Sequence, residues 1–108
     1  MQNEGLDYPF LLKYTAFRMT ADVLSQKLFA PNYEGSAIWA HLGMWYTQLL
    51  KKIDPERAEQ HIRAYKNLVE GYRTFLEVYE PDGRKPYKSL FYVCDEGMLW
   101  AANLLTML

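Results

Sequence analysis

Two pairs of glutamates, Glu56-x-x-Glu59 and Glu77-x-x-Glu80, have a spacing with which acids on a helix can hold a divalent cation. Both pairs fall on one continuous helical pattern, in which Glu59 and Glu77 lie roughly 27 Å apart at 1.5 Å rise per residue. Carboxylates that share a Mg²⁺ ion must each bring an oxygen within about 2.1 Å of it. The pairs can therefore cooperate only if this helix lies antiparallel to that of a second copy. Solvated surface acids are the expectation, and a metal site on these four acids is confined to a dimer seam.

His41 and His61 are the only histidines. A metal or catalytic cluster wants acids, cysteine or a second histidine three or four residues away on the same face. His41 has Ala37, Met44 and Trp45 at those distances, and His61 has Arg57, Ala64 and Tyr65. Both read as boundary residues. His41, between Trp39 and Trp45, is the one place where a ring nitrogen could face a flat ligand. No cofactor is expected, and no constellation requires catalysis. Cys94 is the single cysteine, so no disulfide can form within the chain. Its neighbours Asp95 and Glu96 stand in an apolar stretch that could raise their pKa values, although a structural role is expected.

A third group of candidates is aromatic. Tyr65, Tyr72 and Tyr79 recur every seven residues along the same helical pattern as the glutamates. Every buried phenol needs a hydrogen-bond partner, so a core is more simply filled by leucine. Tyrosine suits a surface that is apolar but wet at its margin, as at a subunit interface. With Trp100, Leu104 and Leu108 near the end of the chain, these residues form the expected contact surface.

The elements that must position these groups read as four helices. Phe10, Tyr14, Phe17, Ala21, Leu24 and Leu28 repeat at four-three steps and predict a helix ending before Pro31. From Tyr33 or Gly35 to Ile53 there are two apolar stripes. Ile38, Leu42, Trp45 and Leu49 make one, and Trp39, Tyr46, Leu50 and Ile53 make the other. A helix that is apolar over most of its girth is predicted to be central. Its small residues Ser36, Ala40, Gly43 and Thr47 would let a neighbour approach closely. Asp54-Pro55-Glu56 is a helix start, with an N-cap, a proline at the first position and an acid at the positive end of the dipole. The pattern then runs to Glu80 and stops at Pro81-Asp82-Gly83. Ser89 to Leu108 fits a last helix, although Ser89 to Cys94 is rich in β-prone residues and a start near Asp95 is the alternative.

The 108 residues fit one domain, 1–108, and half of them are apolar. The charge is nearly balanced, 12 basic against 13 acidic, which gives no electrostatic reason to expect a nucleic acid or a membrane as partner. No basic and apolar leader opens the chain, and a cytoplasmic location is expected. The expected fold is all-α, a four-helix up-down-up-down bundle. The expected role is a protein-binding or regulatory module acting by homodimerisation or by packing a partner helix. A small all-α enzyme or ligand binder, with its carboxylate site across a dimer seam, is the alternative.

Overall fold

Glycine inside a helix costs about 1 kcal/mol relative to alanine, so Gly43 calls for a reason in packing. In the computed structural model of the chain the reason is Leu11. A Cβ built on Gly43 would lie 2.8 Å from the Leu11 Cα. The close approach expected along the small residues is made, but by an irregular N-terminal segment and not by another helix. The structure describes residues 5–15, 28–31, 33, 35–94, 96 and 98–108, with 98–100 as backbone only.

The four-helix bundle and the all-α class are both overturned. Among the described residues there are three helices and a three-stranded antiparallel sheet. The strands are β1 (Leu12–Lys13), β2 (Ile38–Trp39) and β3 (Val78–Tyr79), in that order across the sheet. Leu12 pairs with Trp39 and Lys13 with Ile38, while Ile38 also pairs with Tyr79 and Trp39 with Val78. The helices are α1 (Ala40–Ile53), α2 (Pro55–Tyr72) and α3 (Met98–Leu105).

Each departure from the predicted helices has a local cause. At the N-terminus, the spacing of Phe10 and Tyr14 fits a helical turn, yet the backbone there pairs with β2. Leu11 takes φ 56°, a left-handed conformation that interrupts regular structure. Residues 16–27, the middle of that predicted helix, lie outside the described residues. The second helix starts only at Ala40, because Ile38 and Trp39 are spent on the sheet and the Ala40 N–H donates to the Glu77 carbonyl at 2.8 Å. The third begins as read, with Asp54 Oδ1 accepting from the Arg57 N–H at 3.1 Å and Pro55 following. It ends early, at Tyr72, where Arg73 adopts φ 57° just after Gly71. Beyond it Leu76, Val78 and Tyr79 are extended. The last predicted helix loses its first part: residues 89–94 form a hairpin with 86–88, through the Lys88–Val93 bridge. Asp95 lies outside the described residues.

The main core lies between the sheet and the helices and contains Leu11, Ile38, Met44, Tyr65 and Tyr79. Phe10, Tyr65 and Tyr79 form a ring triad with centroids 6.0–6.5 Å apart. A second cluster of Tyr46, Leu50 and Ala58 joins α1 to α2. The central position expected for the second helix holds on one side only. α1 packs on α2, α3 and both β1 and β2, but Trp45, Leu49 and Ile53 remain in solvent.

The Leu11 contact is directly testable. Gly43→Ala gains helix propensity, but its methyl meets backbone, which has to move. A net loss of about 1–3 kcal/mol in urea unfolding is expected, the range of an overpacked core.

Candidate functional site

The N-terminal segment is fastened by a buried polar cluster. Asp7 is fully buried, and its Oδ2 accepts from the Tyr46 hydroxyl at 2.8 Å and from Arg57 Nε and Nη2 at 2.9 and 2.8 Å. One carboxylate oxygen thus holds α1, through Tyr46, and α2, through Arg57. His61 of α2 completes the cluster. Its Nδ1 accepts the Leu11 N–H at 2.6 Å, so the neutral ring carries its proton on Nε2, 4.0 Å from Asp7 Oδ2. The left-handed turn at Leu11 leaves that N–H outside any ladder, and the imidazole supplies the acceptor. Burial lowers the His61 pKa; Asp7 acts against this and Arg57 adds to it. An aspartate, a histidine and a tyrosine side by side invite a catalytic reading. All three are buried, however, and each is engaged in holding separate parts of the chain together. Its chemistry is that of a clamp.

On the solvent side of Arg57 there is a shallow polar recess of about 210 Å³, lined by Asp54, Glu56, Arg57 and Gln60. A larger apolar cleft of about 480 Å³ lies between the end of α2 and the hairpin of residues 86–94. Tyr72, Pro86, Tyr87 and Val93 line it, with Lys85, Lys88 and Glu80 around its polar part. The Tyr72 hydroxyl donates to the Arg84 carbonyl at 3.0 Å, which fixes one wall.

Beside the cleft stands the tip of the 86–94 hairpin. The Ser89 N–H donates to the Tyr92 carbonyl at 2.8 Å and the Cys94 N–H to the Tyr87 carbonyl at 3.1 Å, which leaves Leu90 and Phe91 at the corner. Hairpin corners built on positive φ need Gly, Asn or Asp, whereas a corner without it accepts most residues. Here both residues are large and apolar, with neither at positive φ, and they are 85% and 65% exposed. The tip is held in place. Phe91 packs on Phe29 at 5.0 Å between centroids, and the Ser89 hydroxyl donates to the Phe29 carbonyl. Leu28, Phe29 and Val93 are also exposed, so the apolar surface continues from tip to cleft.

The residues singled out in the sequence are dispersed. Glu56 and Glu59 lie in the first turns of α2, whereas Glu77 and Glu80 flank β3. Among the described residues no group of three or more His, Cys, Asp or Glu side chains is placed to hold a metal ion. Trp39 meets His41 edge-on at 5.3 Å, while Trp45 points into solvent; burial lowers the His41 pKa and Glu77 acts against this. Tyr65 and Tyr79 are fully buried, with Tyr65 donating to the Leu76 carbonyl at 3.2 Å, and burial raises both phenol pKa values. Leu104 is buried, Leu108 is exposed, and the Trp100 side chain lies outside the described residues. Tyr72 alone of the three tyrosines reaches a surface feature. Sequence reasoning missed Asp7, Arg57, Leu90 and Phe91. For the tip a signal existed: the β-prone run Ser89 to Cys94, which a helix start near Asp95 would leave outside the helix.

Comparison with protein-family models, with curated proteins and with solved structures finds no match for this chain. Among the described residues no helix is long and apolar enough to cross a membrane.

Two measurements test the clamp. The His61 pKa is lower in the folded chain than the ordinary value of 6.5, so on acidification the unfolded chain takes up a proton that the folded chain resists. The contribution is complete above that value and declines as the pH falls below it. The urea midpoint is expected to drop from about pH 7 to 5, and His61→Gln, whose amide oxygen can accept from Leu11, should flatten the slope. His41, shifted in the same direction, leaves a residue of it. Asp7→Asn removes the charge beneath Arg57, which is one-third exposed and so partly resolvated; a loss of about 2–3 kcal/mol at neutral pH is expected by urea unfolding.

Proposed function

We propose that this protein is a small docking module that pairs with a second copy of itself through the surface around Leu90 and Phe91. The observation that carries the reading is the pinned apolar tip. Large apolar side chains held in solvent at a corner lower solubility, so these residues are best explained by a contact. The surface is self-complementary in shape, because a projecting corner adjoins a hollow of about 480 Å³, within the range that accepts side chains or small ligands. It is also self-complementary in charge, since Lys85 and Lys88 share it with Glu80.

A two-fold axis needs such a patch. In an isologous dimer, residue i of one copy meets j of the other and j meets i. Each tip would enter the other copy's cleft, against Tyr72, Pro86 and Val93, with lysine facing glutamate at the rim. Leu28, Phe29, Tyr72, Leu90, Phe91 and Val93 are all exposed and supply the apolar centre. Aromatic anchors in a central pocket carry most of the energy of such interfaces. The pairing expected between the third and fourth predicted helices is thereby moved to the hairpin and the end of α2, and Tyr72 is the residue common to both.

Analytical ultracentrifugation at concentrations of about 10–500 μM decides the matter. The unmodified protein is expected to dimerise. Phe91→Asp and Tyr72→Ala should each weaken dimerisation about tenfold or more, the scale of a hot-spot residue, without altering circular dichroism. A monomer throughout that range overturns the proposal.

A further inference from the structure

The chain has nine tyrosines, and one pair of them is set apart by where its hydroxyls lie. The Tyr33 and Tyr92 hydroxyl oxygens are 3.1 Å apart, and the two rings have centroids 5.0 Å apart at an interplanar angle of 70°. Tyr33 precedes β2, while Tyr92 belongs to the 86–94 hairpin, 59 residues further along the chain. Both are half-buried, so both are within reach of solvent. The other neighbouring pairs differ. Tyr87 packs on Tyr33 and on Tyr92, but its hydroxyl donates to the Pro31 carbonyl at 2.6 Å. Tyr65 and Tyr79 stand at 89° with centroids 6.0 Å apart and are fully buried.

Loss of one electron and one proton turns a phenol into a phenoxyl radical, whose unpaired electron is shared among the oxygen and the ortho and para carbons. In tyrosine the para carbon carries the rest of the side chain, so two such radicals join through ortho carbons. Each ortho carbon is next to the hydroxyl, and a bond between two of them sets the hydroxyls side by side. The Tyr33–Tyr92 contact already has that arrangement. Rings joined in this way are twisted about the new bond and not coplanar, which the 70° angle also suits. Further rings lead from the pair to the surface. Trp39 meets Tyr33 edge-on at 4.6 Å and meets the half-exposed Tyr14 at 5.5 Å, so an electron lost from either can be replaced from Tyr33.

We infer that Tyr33 and Tyr92 are a site of oxidative modification, at which a carbon–carbon bond between ortho positions fastens the hairpin to the segment ahead of β2. The oxidant is a peroxide acting in one-electron steps. The two phenols give up two electrons and their two hydroxyl protons, the ortho carbons join, and the ring hydrogens at the junction move to the oxygens and restore both hydroxyls. The peroxide O–O bond breaks as it takes the two electrons, and with the two protons hydrogen peroxide becomes two waters. Reaction within one copy is favoured, because a radical on either ring has its partner in contact before a second molecule arrives. The bond ties residues 59 apart in sequence, and a cross-link over so long a loop strongly restricts the unfolded chain. Leu90 and Phe91 keep their place at the corner, so the modification is independent of the proposed self-association.

The test exposes the full chain, dilute enough that two copies rarely meet, to light, a one-electron photo-oxidant and peroxydisulfate. The O–O bond of peroxydisulfate takes the two electrons and yields two sulfates. The expected product is a single chain that has lost two hydrogens in the mass spectrum and shows the blue emission of a biphenol. Cleavage after lysine and arginine should release peptides 28–51 and 89–108 joined through Tyr33 and Tyr92. Tyr33→Phe and Tyr92→Phe, which keep the rings, should each abolish that link. Tyr8→Phe, which removes the most exposed tyrosine, should leave it unchanged. The linked chain should melt about 10 °C or more above the unlinked one. Links mainly between other tyrosines, or mainly between two copies, overturn the inference, since exposure and encounter would then govern the reaction. Oxygen addition without a link overturns it too, as does a linked chain that melts no higher than before.

Discussion

The seat of Leu11 on Gly43 is the contact under which the rest of the molecule is arranged. A helix packed on α1 would keep its axis 8–10 Å away, whereas a single irregular strand against a glycine comes much closer. The N-terminal segment can thus lie inside the core and not on it. Leu11 is fully buried, and the next residue, Leu12, already pairs with Trp39. The sheet begins at this contact: β1 places β2, and β2 places β3 together with the Glu77 carbonyl that receives the first N–H of α1. A side chain at position 43 would push the segment outward and disturb the strand pairing and the start of the helix together.

Burying an irregular segment brings its polar groups inside, and these have to be satisfied there. The cluster around Asp7 does much of this with side chains, although Asp7 Oδ1 itself finds no partner among the described residues. Tyr46 and Arg57 converge on one oxygen from two helices, and His61 takes the Leu11 N–H. A buried ion pair is weak evidence for stability, since desolvation cancels much of the attraction, but removing one partner is costly. The net effect is specificity. An apolar residue at position 7 could slide along the helix pair, while a carboxylate meeting two donors from different helices fixes the register of the segment.

The parts legible in the sequence are those decided by neighbours along the chain. The Asp54 cap, Pro55, the lysines ending α1 and the turn at Pro81–Gly83 are all local chemistry, and Gly43 announced a close approach without naming its partner. What was not legible depends on distant residues. Asp7 lies 39 residues from Tyr46 and 50 from Arg57, and nothing near it in the chain marks it as the anchor. Periodicity misled at the end of α2, because Leu76 and Tyr79 continue the four-three rhythm of a helix. The β-prone run Phe75 to Tyr79 satisfies a strand equally well, and Gly71, with the left-handed Arg73, is what ends the helix. The three tyrosines illustrate the consequence. Their spacing placed them on one face, but the chain turns between Tyr72 and Tyr79, so two enter the core and one stays at the rim.

A chain of this size cannot enclose all of its apolar side chains, and scattered exposure would need no explanation. Here the exposed residues are grouped. One group stands at the corner of a hairpin and adjoins a hollow with charges of both signs. The other, Trp45, Leu49 and Ile53, lies in a straight row along α1. The clamp at Asp7 and the seat at Gly43 hold the frame that presents both, so neither surface is needed to keep the fold together. The residues of these surfaces are thereby released from packing constraints and can be chosen by contact alone. That separation explains why large apolar residues persist at positions where solubility argues for polar ones.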